Sequence, residues 1–284
     1  MDRLEVRPHP SHLRWLRHLA PVALGFSLAA APTAAFAGDT APTPLPAPAA
    51  THTARARGSV GKPLSYGGWG SGYVAYAPAG KRFTAVSTTF VVPRYAPTPP
   101  ASGVAWAGIW AGIGIHALGH SQLMQAGIYL QTAAGQRGWS VEAPWWINEP
   151  STPTSPHELM LNVEPGDRIT VLVAEAAHRP DHWRFRLKDH TNGFSASGRC
   201  SRCSSTARTA AWILEDPYNG TAPYANPGRV RFLAAAAAIG FGKLRPISQL
   251  SVRPVLRREG GQTQGPHSAR PEPKGGFTLS NLRA

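Results

Sequence analysis

Acidic residues are scarce in this chain: 15 Asp and Glu stand against 29 Lys and Arg in 284 residues. None occurs between Ala41 and Val141, so a pair of carboxylates for acid–base chemistry has to come from residues 142 to 216. Glu142, Glu149 and Glu215 are the candidates there on strand-like segments. Cysteine is nearly absent too, with only Cys200 and Cys203 in the tetrapeptide CSRC. In an oxidising compartment that pair reads as a local disulfide stapling a turn. Zinc would need two more ligands, and a thioredoxin-type centre would need the pair to open a helix after a strand. Neither context is present, and no metal or other cofactor is expected. Past the N-terminal region no stretch approaches eighteen uninterrupted apolar residues, as a membrane-spanning helix requires. No segment has an amphipathic helical period with caps at both ends.

What is abundant is positive charge, with a formal net charge of +14. Such a surplus invites a nucleic-acid reading. The arginines are scattered, however, and from residue 239 onward eight Lys and Arg against two Glu lie in a Pro- and Gly-rich tail. With no basic helix and no common nucleic-acid motif, no nucleic-acid partner is expected. The chain is expected to be a monomer.

The first 37 residues carry four arginines by Arg17, an apolar run from Leu19 to Ala31, and Ala35-Phe36-Ala37 in the small-x-small form of a cleavage site. That is the pattern of a secretory signal peptide, and it predicts a secreted, extracellular protein with no membrane attachment after cleavage. Residues 38–63 are rich in Pro, Ala and Thr without apolar period and read as a linker or pro-segment. Residues 64–284 are enough for one large core.

Within 64–284, short β-branched and aromatic runs alternate with Gly and Pro turns: SGYVAYA, RFTAVSTTFVVP, VAWAGIWAGIG, LMQAGIYLQTA, WSVEAPWWI, WRFRLKDHTNGFSAS, TAAWILE and RVRFLAAA. VEPGD and DHTNG read as hairpin turns. Residues 239–275 read as irregular, and 276–282 as a last strand. Many short strands with regular turns indicate an all-β fold, a β-sandwich of two antiparallel sheets.

Most chemical constellations fail on inspection. GFSASG and GWGSGY miss the nucleophile-elbow pattern of serine hydrolases. His116 and His120 stand among glycines in a loop, and His178 and His182 mark a polar hairpin tip, so neither pair is read as a metal site. Asn219-Gly220-Thr221 is a glycosylation sequon, meaningful only in a host that glycosylates. The informative stretch is TAAWILEDP. Read as a strand, it sends Ala211, Ile213 and Glu215 to one face and Ala210, Trp212, Leu214 and Asp216 to the other. Glu215 then stands on a strand face where burial or a nearby donor would shift its pKa. An amide could serve as its partner, and Gln125 is oddly polar in the apolar strand QLMQAGIYL.

Taken in order, these segments resemble the glutamic peptidases, or eqolisins, from about Tyr66 to Leu282. GGWGSGYVAY with FTAVSTTFVVP resembles the family's opening hairpin, and WAGIG followed by LMQAG resembles the Trp-x-Gly-Ile step before the strand of the catalytic glutamine. VEPGDRITVLV, TAAWILED and APYANPGRVRF follow in the family's order. The resemblance implies a concanavalin A-like sandwich in which Gln125 is the catalytic glutamine and Glu215 the catalytic glutamate. It also implies substrate-binding tryptophans at Trp69, Trp110, Trp145 and Trp146. Three acids of the family pattern are replaced, by Ala211, Gly114 and Ile147.

The chemistry so implied is acid endopeptidase hydrolysis of unfolded protein. Glu215 would serve as general base on a water and then as general acid towards the leaving amine, while Gln125 orients the water and stabilises the oxyanion. Without an aspartate dyad such an enzyme is insensitive to pepstatin. Two other classes compete: a binding module for peptide or glycan that kept the cleft and lost efficient chemistry, and a glycosidase, which needs a second carboxylate facing Glu215.

Overall fold

The alternation of apolar and small residues that marks strands in the sequence is realised throughout. A computed structural model describes residues 58–65, 70–94, 100–114, 123–136, 138–142, 144–149, 156–177, 179–203, 205–217, 223–259, 262–268 and 270–282. The proposed signal peptide, most of the linker, Trp69, the loop of His116 and His120, His178 and the sequon at Asn219 lie outside them.

The strands are β1 (Leu64–Ser65), β2 (Gly70–Tyr76), β3 (Phe83–Val91), β4 (Val104–Ile113), β5 (Leu123–Ala133) and β6 (Ser140–Val141). They continue with β7 (Trp145–Glu149), β8 (His157–Glu158), β9 (Arg168–Glu175), β10 (His182–Asp189), β11 (Ser195–Ser201) and β12 (Thr209–Glu215). The last five are β13 (Arg229–Ile239), β14 (Arg245–Pro246), β15 (Ser251–Glu259), β16 (Gln262–Pro266) and β17 (Phe277–Leu282). A single 3-10 turn, Ile247–Gln249, is the only helical element among the described residues. The protein is all-β, and every ladder but the short β1–β15 pair is antiparallel.

Pairing falls into two runs. One runs β1, β15, β2, β12, β4, β5, β7, β8, with β6 also on β5. The other runs β11, β10, β9, β3, β13, β17, β16, with β14 on the far end of β13. β15 belongs to both: Ser251–Val255 pairs with β2, and Arg257–Glu259 pairs with β16. The main core draws on both runs, joining Ile109, Ile128 and Leu214 to Val86, Val171 and Phe185. Trp212 of β12 donates its indole N–H to the Ser87 carbonyl of β3 at 2.8 Å, and Trp146 of β7 stacks on Phe185 of β10 at 4.4 Å. A buried indole usually finds an acceptor for its N–H, and here Ser87 supplies it.

Three features differ from the sequence reading. Residues 239–275 are not irregular, for they contain β14, β15 and β16. Pro254 and the arginines obscured the period, yet Val252 and Val255 are buried and Pro254 sits in register with Tyr73 of β2. VEPGD is a turn but not a hairpin, because β8 pairs with β7 whereas β9 pairs with β3 and β10. DHTNG does close a hairpin, between β10 and β11. Finally, the end of the 38–63 segment is docked: Gly58 N–H bonds Ser248 O at 3.0 Å, Gly61 N–H bonds Val252 O at 2.8 Å, and Val60 bridges Val252. Cys200, in β11 opposite Trp183, is joined by a disulfide to Cys203, two residues past the strand's end.

Candidate active site

The strand phase of TAAWILE separates its two faces physically. Ala210, Trp212 and Leu214 belong to the main core, while Ala211 and Ile213 belong to a second cluster with Trp110, Leu123, Trp145, Ile147, Val74 and Val255. Period-two alternation puts Glu215 on that second face with Ala211 and Ile213, and puts Gln125 there between Leu123 and Gly127. The same parity turns Asp216 away from the face.

Cross-strand register arranges this face in rows. One row runs Val74, Ala211, Gly112, Gln125, Ile147. The next runs Gly72, Ile213, Trp110, Gly127, Trp145. The third runs Gly70, Glu215, Gly108, Tyr129. Gln125 and Glu215 are thus on one face, on the two strands that flank β4, but diagonally placed. Gln125 lies opposite Gly112 and Glu215 opposite Gly108, a step of about 13 Å along the strand at 3.3 Å per residue. Both are buried, 3% and 9% exposed.

Glycine makes room for them. A Cβ on Gly108 would lie 3.0 Å from Glu215 Cγ, and one on Gly112 would lie 2.9 Å from Gln125 Cβ. A Cβ on Gly127 would meet Ile109 O at 2.2 Å and Trp110 Cβ at 2.6 Å. The floor under this face is therefore backbone, with two side chains standing over the gaps.

Trp110 and Trp145 lie in the row between, both buried. Trp145 stacks on Tyr129 at 4.7 Å. Their indole N–H groups have no hydrogen-bond partner among the described residues, which is unusual for buried donors. Trp146 is a correction to the expected tryptophan set. It points to the opposite side of β7, into the main core, where it stacks on His157 at 4.1 Å and on Phe185. Adjacent residues of a strand face opposite ways, so the two tryptophans of PWWI cannot both line one cleft.

The sequence reading named Glu142 as a candidate acid but missed Tyr129 and Glu158 beside it. Glu142 donates its backbone N–H to Tyr129 O at 3.0 Å, and Glu158 pairs with Trp145. Burial, reinforced by the neighbouring Glu158 carboxylate, pushes the Glu142 carboxyl above its ordinary value. The i, i+2 position of Tyr129 after Gly127 in a strand already aligned on Gln125 was the available signal. Glu142 extends the Glu215 row, but three strand spacings of about 4.8 Å separate them, with Tyr129 between. Inverting glycosidases need carboxyls roughly 6.5–9.5 Å apart and retaining ones about 5 Å, so this pair does not suit glycoside hydrolysis. No cluster of His, Cys, Asp and Glu fit for a metal ion occurs among the described residues.

The chain is all-β and buries a glutamine and a glutamate on a glycine-floored face. The Peptidase A4 family model matches residues 69–250, and the chain belongs to that family. Among solved structures it is similar to scytalidoglutamic peptidase bound to a peptide-based transition-state analogue, with 19% identity over 76% of this chain and 98% of that one, TM-score 0.57. It is also similar to aspergilloglutamic peptidase from Aspergillus niger, with 21% identity over 63% of this chain and 99% of that one, TM-score 0.51. At such identities the likeness establishes the eqolisin fold. No curated protein matches at the sequence level. Family and fold together support a peptidase function.

Proposed function

We propose that this protein is a secreted acid endopeptidase of the glutamic type that cleaves unfolded polypeptide, and that its two runs of strands stack as a concanavalin A-like sandwich. The observation that carries the reading is the placement of Gln125 and Glu215 on one glycine-floored face, on the strands either side of β4. Glu215 acts as general base on a water and then as general acid towards the leaving amine. The resemblance assigns Gln125 the carbonyl that orients the water and the amide that donates to the developing oxyanion. With four residues along the strand and two strand spacings between them, the two side chains reach one water only if the face rearranges on substrate binding. A glutamate with an ordinary pKa of about 4.3 is a base only above that pH and an acid only below it, so the optimum is moderately acidic. The mechanism uses no aspartate dyad, so pepstatin does not inhibit it.

One observation favours a second reading. The residue across Gly112 from Gln125 is Ala211, where the family pattern has a carboxylate. A face that keeps the cleft and lacks this acid suits a peptide-binding module with weakened chemistry.

One experiment separates the two. Purified protein lacking residues 1–37 is incubated with denatured casein or haemoglobin from about pH 2 to about pH 6, beside Gln125→Ala and Glu215→Gln. The peptidase reading expects cleavage by wild type with pepstatin present and its loss in both variants. No cleavage, with Glu215→Gln indistinguishable from wild type, sinks it.

A further inference from the structure

The end of the second run of strands carries a feature that peptide hydrolysis does not use. β9, β10 and β11 form the end of the second run, and their outward side chains line a groove of about 1000 Å³. Four arginines stand in it: Arg179, Arg184, Arg186 and Arg199, all exposed. Arg184 and Arg199 are direct cross-strand partners, and Arg186 is one pleat further along β10. The acid of the groove, Glu175, is already committed: its side chain is 0% exposed, accepts from Arg82 Nη2 at 2.6 Å and takes the Asp181 N–H at 3.2 Å. Arg184 and Arg199 have no ion pair among the described residues, and Arg186 has only a 3.5 Å contact to Ser195 Oγ.

Like charges placed directly opposite each other destabilise a sheet. Cationic residues do protect exposed sheet edges from pairing with other chains, but that purpose is met by β11 alone. Here two of the arginines, Arg184 and Arg186, lie on β10, one strand in from the edge, with Arg199 directly across from Arg184. The arrangement is costly for folding and useful for holding an anion.

We propose that this groove is a docking site for a sulfated polysaccharide. Three guanidinium forks within two residue steps match a tetrahedral oxyanion, which offers each fork a pair of acceptor oxygens. The hydroxyls of Ser195 and Ser197 continue the polar lining along β11, as sugar hydroxyls require. The groove follows the strands from His182 to Arg186, about 13 Å, so it suits a chain of repeated anions rather than one ion. Single-stranded nucleic acid is a poorer fit, because the aromatic residues of β10, Trp183 and Phe185, are buried in the core and present no face for base stacking. An acidic peptide offers planar carboxylates, which lose charge near pH 4, whereas sulfate esters remain ionised.

The test uses the purified protein and size-defined heparin fragments as the probe, with binding measured at about 0.15 M salt and over a salt series. Arg184→Ser with Arg199→Ser should weaken heparin binding about tenfold or more and flatten its salt dependence. Arg229→Ser with Arg231→Ser, which removes the same charge from the exposed side of β13, should change it by less than about twofold. Arg184→Lys with Arg199→Lys keeps charge, loses the forks and should fall between; it also serves if the serine pair lowers the thermal midpoint. Peptidase activity is expected to be unchanged in all three, which keeps the outcome independent of the catalytic reading. Equal loss in the β10–β11 and β13 variants would show a net-charge effect and overturn the proposal. So would poly-glutamate or duplex DNA binding as tightly as heparin under the same conditions.

Discussion

The face that carries Gln125 and Glu215 and the face of β9–β11 are both built from antiparallel strands, but they treat side chains in opposite ways. On the first, glycines at 108, 112 and 127 remove side chains so that two polar groups and two indoles can be buried over bare backbone. On the second, arginines crowd adjacent positions and stay exposed. Burial makes a polar group sensitive to its immediate partners, because the low-dielectric surroundings magnify each interaction. Exposure screens single charges and leaves only their collective field. Single substitutions should therefore be severe on the first face and slight on the second.

The largest expected effect is on turnover. Gln125→Ala and Glu215→Ala should each lower kcat by roughly 10² to 10³ or more, the usual loss of an oxyanion donor or general base, measured on denatured casein. Near-wild-type rates in either would break the contrast, since a buried polar group would then be dispensable. Next comes the backbone floor. Gly127→Val drives a side chain into Ile109 O and Trp110, and overpacking of this kind should cost about 1–3 kcal/mol or more, read by denaturant unfolding. Ala211→Glu restores a carboxylate to the Gln125 row. If the missing acid is what limits catalysis, this variant should raise cleavage at acidic pH by about tenfold, measured across the pH profile.

The smallest effect concerns stability against pH. The folded-state pKa of Glu142 is raised, so in the window above the ordinary glutamate value the folded chain holds a proton that the unfolded chain has released. Stability contributed at this position is present at low pH and is lost as pH rises through the folded value. Glu142→Gln should therefore raise the thermal midpoint at neutral pH and leave it nearly unchanged near pH 3. A variant less stable at pH 7 would contradict a raised Glu142 carboxyl.

Much of this was legible in the chain. The alternation in TAAWILE told which residues share a face with Glu215, and the polar Gln125 in an apolar strand stood out at once. The diagonal offset between them was not legible, because it is fixed by which residues of β4 face each neighbour, and VAWAGIWAGIG contains no residue that pins the register. The contrary directions of Trp145 and Trp146 follow from strand parity and could have been read. The strand at Ser251–Glu259 was obscured by Pro254 and by Arg253, Arg257 and Arg258, whose charges hide the apolar period of Val252 and Val255.

The double membership of β15 has a consequence in time. Its first half closes onto β2, near the beginning of the folded region, with Ser251 meeting Tyr76, and its second half hands the chain over to β16. Contacts between such distant parts of a sequence form late and slowly, because the intervening loop must be drawn in first. Until that clasp is fastened, the free edge of β2 is bare and the sheet stays open along it.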